Sequence, residues 1–120
     1  MKLLRYAEIE QKLKDYAQQA PDLISVSSIG QSFEGREIFV VTITSKATGL
    51  AEDKPAILID GNIHAVEMTA SAAALYFIEF LIENFGKDER VTRCLESRAF
   101  YVIPRVNPDG AELALAERPR

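Results

Sequence analysis

His64, the one histidine among 120 residues, stands three positions before Glu67 in the run "ILIDGNIHAVEMTASAAALYF". An imidazole nitrogen and a carboxylate oxygen at positions i and i+3 face the same side when they share a helical turn. Both are ordinary zinc ligands, and catalytic zinc sites take three protein ligands plus a water. His64 and Glu67 are therefore candidate metal ligands, two of the three such a site needs. The plainer use of the same pair is a histidine hydrogen-bonded near a turn and a glutamate favoured by a helix N-terminus. Position favours the metal, because His64 lies just past the apolar run Ala56 to Asp60, and open α/β sheets bind ligands beyond the C-terminal ends of their strands.

The surrounding pattern supplies elements to hold that pair. Tyr6, Ile9, Leu13, Tyr16 and Ala17 fall at helical spacing ahead of Pro21, which predicts an amphipathic first helix. Strands are expected over residues 23 to 30 and 36 to 45, joined by a turn at Glu34-Gly35-Arg36 with Arg36 exposed. The second has apolar residues on both faces, as for a strand covered on two sides. Residues 45 to 55 read as a polar loop, and 56 to 60 as a short buried strand. A long helix is expected from about Val66 to Phe85, mostly buried apart from a stripe of Thr69, Ala72, Tyr76, Glu79 and Glu83. In that stripe the glutamates read as solvated and Tyr76 as a rim residue. A second helix over about 88 to 96, a buried strand over 98 to 104 and a turn at Asn107-Pro108-Asp109-Gly110 complete the pattern. Strand, helix, helix, strand after a hairpin predicts an α/β protein, a mixed sheet with helices on both faces.

Composition narrows the possible partners. With 48% apolar and 27% charged residues the chain reads as one globular unit. A net charge of −4 with scattered Lys and Arg argues against nucleic acid and anionic membranes as partners. Met68 to Ile82 is interrupted by Glu79 and is shorter than the ~20 residues that cross a bilayer. The first 16 residues lack the apolar core of a signal peptide, so the expected compartment is cytoplasmic. Cys94 has no partner for an internal disulfide and reads as a small buried apolar residue.

Taken in order, three stretches resemble the M14 family of zinc carboxypeptidases. "YAEIEQKLKDYAQQAPDLISVSSIGQSFEGREIFVVTIT" resembles the family's opening helix and its hairpin, with Gly30, Ser32, Glu34, Gly35 and Arg36 in the turn. "ILIDGNIHAVE" is similar to the strand leading into the first two zinc ligands, and "FYVIPRVNPDGAE" to the next strand and its turn. The resemblance implies a single metallocarboxypeptidase catalytic domain of which residues 1–120 are the N-terminal portion. It implies zinc as cofactor with His64 and Glu67 as ligands, and a peptide substrate cleaved at its C-terminal bond. Many members carry Arg immediately before the Glu, where Val66 stands here.

The second His ligand, the carboxylate-binding Asn-Arg pair, the Tyr and the general-base Glu of the family match no position in this chain. Arg118 and Arg120 are not assigned to any of them. The chain alone is accordingly expected to be inactive, and its cut sheet to self-associate through an exposed edge. Two other readings stay open: an aspartoacylase-like zinc amidohydrolase with a similar His-x-x-Glu start, and a non-catalytic binding module on the same scaffold.

Overall fold

Ile9, Leu13 and Tyr16 are buried on one side of a 14-residue helix, α1 (Tyr6–Gln19), as their spacing requires. The computed structural model describes residues 3–116; Arg118 and Arg120 lie outside the described residues. After α1 come β1 (Ile24–Gln31) and β2 (Glu37–Ile43), paired antiparallel with Ile24 opposite Ile43 and Val26 opposite Val41. Residues 45–55 are less irregular than their polarity suggests, with short 3₁₀ turns at Lys46–Thr48 and Ala51–Asp53. The Lys54 ammonium pins them, donating to Thr44 Oγ1, the Ser45 carbonyl and Thr48 Oγ1 at 2.8–2.9 Å.

The second half runs β3 (Ala56–Asp60), α2 (Thr69–Asn84), α3 (Glu89–Ser97), β4 (Ala99–Ile103) and α4 (Pro108–Ala114). The sheet order is β1-β2-β4-β3; β4 is antiparallel to β2 and parallel to β3. The mixed α/β sheet expected from the sequence is thus formed, but α1, α2 and α3 pack on one of its faces rather than on both. Its core lies on one face, where Ile24, Val41, Ile43, Phe100 and Val102 meet Ile9 and Leu13 of α1, Leu75 and Ile78 of α2, and Leu95 of α3. Phe77 of α2 stands edge-on to Phe100, centroids 5.3 Å apart. On the other face the cross-strand row Ser25, Thr42, Tyr101 and Leu58 stays partly open.

Several expectations need correction. β3 is an edge strand rather than a buried one, leaving Ile57 51% and Leu58 61% exposed. α2 begins at Thr69, three residues later than expected, and buries only one side: Tyr76 and Phe80 face out. Glu79 is not simply solvated; it accepts the Tyr16 hydroxyl and lies 3.5 Å from the Lys12 ammonium. Burial first, then Glu79, pushes the Tyr16 phenol up and keeps it protonated. Cys94 is only half-buried, at the rim of the core. The Asn107–Gly110 turn opens a helix: Asn107 Oδ1 accepts the Gly110 N–H at 2.9 Å and Pro108 occupies the first helical position.

Candidate metal centre

Where β3 ends, the chain stays tied to β4, with the Gly61 N–H donating to the Ile103 carbonyl at 3.0 Å. The return segment lies alongside, since the Val106 N–H donates to the Gly61 carbonyl at 2.9 Å and the Asn107 N–H to the Asn62 carbonyl at 3.1 Å. His64 and Glu67 follow on a turn closed by the Glu67 N–H and the His64 carbonyl at 3.1 Å. The two side chains come together there, His64 Nδ1 lying 3.0 Å from Glu67 Oε2, and they are 73% and 65% exposed.

The pair therefore shares a side, but through an isolated turn rather than the first turn of α2. The reason is Asn62. Its Nδ2 donates to the His64 carbonyl at 2.9 Å and the Ala65 carbonyl at 3.3 Å. In a helix starting near Ala65 those carbonyls would take the Met68 and Thr69 amides. Asn62 itself holds a left-handed backbone, φ 61°, which asparagine tolerates better than most residues.

From the other side α4 closes on the loop. A Cβ at Gly110 would come within 2.7 Å of Ala65 Cβ and 2.6 Å of Asn107 Nδ2, so only glycine lets α4 approach this closely. The N-terminal end of α4 also holds the distant hairpin. Asp109 accepts from the Ser32 hydroxyl at 2.8 Å, the Glu34 N–H at 3.0 Å and Arg36 Nη1 at 2.8 Å. Arg36, expected to be exposed, is instead the cation of this latch. Burial pushes the Asp109 carboxyl up, but bonds from Arg36, the Glu34 amide and Ser32, with the Arg36 charge, hold it below the usual carboxylate range.

As a metal site the pair is chemically suited and incomplete. Two ligand atoms on one tetrahedral zinc lie about 3.4 Å apart, given ligand bonds of about 2.0–2.2 Å. The 3.0 Å separation in the structure needs only a small side-chain adjustment to match. Among the described residues no group of three His, Cys, Asp or Glu is placed to hold a metal. Val66 is 76% exposed beside the pair and offers no charge to a bound molecule.

Sequence reasoning missed the support beneath the loop: Asn62, Ser71 and Arg105 are all buried. The one local signal was a cation directly after an apolar strand, in "VIPRVN".

The fold and the pair define an α/β protein whose candidate ligand site lies beyond the C-terminal end of a parallel strand. A profile of the zinc carboxypeptidase family matches residues 9–119, and the chain belongs to that family. Human carboxypeptidase B is 36% identical over 106 residues, which cover 88% of this chain and 24% of that protein. Carboxypeptidase D of Anas platyrhynchos is 33% identical over 107 residues, 89% of this chain and 8% of that protein. The crystal structure of thrombin activatable fibrinolysis inhibitor superposes with a TM-score of 0.87 at 28% identity, covering 97% of this chain and 28% of that one. The chain thus spans between 8% and 28% of the length of these relatives.

Proposed function

We propose that this chain is the N-terminal portion of a metallocarboxypeptidase catalytic domain, in which His64 and Glu67 supply two of the protein ligands to zinc and the substrate is a peptide cleaved at its C-terminal bond. The observation that carries the reading is the convergence of His64 Nδ1 and Glu67 Oε2 at 3.0 Å on an exposed loop at the end of β3. Membership of the zinc carboxypeptidase family supports the peptidase over the amidohydrolase alternative.

When bound, zinc supplies a Lewis acid for the peptide carbonyl and for water. This chain's own contribution is narrower: His64 offers an imidazole nitrogen and Glu67 a carboxylate oxygen, on a turn fixed from both sides. No further ligand is grouped with this pair among the described residues, and on this reading the 120 residues alone hydrolyse no peptide.

Calorimetric Zn²⁺ titration of the chain and of His64→Ala tests the assignment. Loss of one of two ligands is expected to weaken binding by more than about tenfold, above the lower end of what a supporting residue costs. Equal affinity in the two proteins would remove His64 from the metal and favour a binding module on the same scaffold.

A further inference from the structure

Asn62 sits at the crossing of four segments. Its Nδ2 holds the His64 and Ala65 carbonyls, while its Oδ1 accepts from Arg105 Nε at 2.7 Å and lies 3.1 Å from the Ser71 hydroxyl. Ser71 Oγ also lies 2.7 Å from the Pro104 carbonyl and 3.3 Å from Arg105 Nε. Its single proton serves one acceptor at a time, and the shorter contact favours Pro104. Arg105 Nη1 in turn donates to the Leu4 carbonyl at 2.7 Å.

This arrangement fixes the direction of the Asn62 amide. Arg105 offers only donors, so the oxygen must face it and the NH₂ must face the loop carbonyls. A guanidinium 5% exposed, with no carboxylate among the described residues in hydrogen-bonding contact, is costly to bury. Burial does lower the Arg105 pKa, opposed by the charge of Glu112, yet a guanidinium stays charged. The cost is spent on one asparagine oxygen, one hydroxyl and one backbone carbonyl. Packing alone would be served as well by an apolar side chain between α2 and the N-terminal segment, where Leu4, Ile9, Met68 and Leu75 line a small cavity together with Arg105. What an apolar residue could not do is orient Asn62.

We propose that Asn62, oriented by Arg105 and backed by Ser71, is the positioning residue that holds the His64–Glu67 turn in its metal-binding shape. The proposal rests on the zinc reading above and adds the residues that prepare the site. By holding the His64 and Ala65 carbonyls, Asn62 keeps α2 from extending back through Glu67 and preserves the turn in which the two ligand atoms meet. Residues that orient metal ligands without touching the metal typically contribute about ten- to a hundredfold in metal affinity.

The discriminating variant is Asn62→Asp. Aspartate keeps an acceptor for Arg105, adds an ion pair with it and tolerates a left-handed backbone. It loses both donors to the loop carbonyls. Because His64 is the chain's one histidine, its imidazole NMR signals report a Zn²⁺ titration without overlap from others. The expected result is a folded protein, held by the new ion pair with Arg105, with Zn²⁺ binding at His64 about ten- to a hundredfold weaker. The added negative charge would by itself strengthen binding, so the expected direction opposes simple electrostatics.

Unchanged or tighter Zn²⁺ binding by Asn62→Asp, with the parent shifting normally, overturns the proposal and leaves the zinc reading intact. No Zn²⁺-dependent shift of His64 in the parent removes the zinc reading and the proposal with it. If Asn62→Asp does not fold, Asn62→Gly, which permits the same backbone and removes both donors, carries the same expectation for Zn²⁺ binding, with a lower melting temperature because Arg105 loses its acceptor.

Discussion

Asp109 joins parts of the chain that are remote in sequence, since Arg36 and Ser32 reach it across 73 and 77 residues. Its folded pKa lies below the unfolded value of about 3.9, so its contribution is whole above that pH and is lost as pH falls through the folded pKa. Glu112 moves in the same direction: burial raises it, but bonds from Arg5 and the Tyr6 amide, with the Arg5 and Arg36 charges, bring it lower. Asp109→Asn is expected to cost about 1–2 kcal/mol at pH 7, the loss of charge-assisted bonds at a partly exposed site. The difference from the parent should shrink at an acid pH below the folded pKa, where Asp109 itself becomes protonated. Urea midpoints at both pH values check this, and an equal difference at both would exclude the titrating carboxylate as the source. At this scale the His64–Glu67 pair was legible because three positions separate its members. Arg36 was misjudged because the hairpin sequence offers only its neighbour Glu34, 3.2 Å away, and gives no sign of the distant Asp109.

Among the elements, those built on local periodicity could be read directly. α1 and α3 follow their apolar spacing, and α3 also starts where a cap is available: Asp88 accepts the Arg90 N–H at 2.8 Å and the Val91 N–H at 3.4 Å. Asp88→Ala is expected to destabilise the protein by about 1 kcal/mol, measured as a lower urea midpoint with unchanged slope. α2 was placed too early because its first carbonyls are taken by a side chain from outside the helix, a competition invisible to hydrophobic spacing. β3 was misjudged for a different reason. A short apolar run reads alike in a central and in an edge strand, and the number of neighbours is a property of the sheet. The Asn-Pro-Asp-Gly run carried the residue types of a turn and of a helix start together, and the buried Ala111 decided for the helix.

For the whole molecule, the exposed edge of the sheet matters most. β3 offers an open backbone ladder with Ile57 and Leu58 solvent-facing, the arrangement that recruits another strand. Reversible self-association of the 120-residue chain is expected, with Leu58→Lys reducing it by placing a charge on that edge. Sedimentation velocity over a concentration series follows the change; concentration-independent monomers in the parent would exclude the edge as a contact. The α/β class was readable from the order of the elements, whereas the side of the sheet that α1, α2 and α3 cover depends on packing between segments far apart in the chain.

The dependence of the His64 turn on Arg105 and Gly110 also sets an order of events as the protein is made. Asn62 leaves the ribosome 43 residues ahead of the arginine that orients it, an interval of about 2–9 seconds at ordinary elongation rates. Through that interval His64 and Glu67 are already outside and still unorganised. On the zinc reading proposed above, metal loading would follow translation of the segment beyond Ile103, which supplies Arg105 and Gly110.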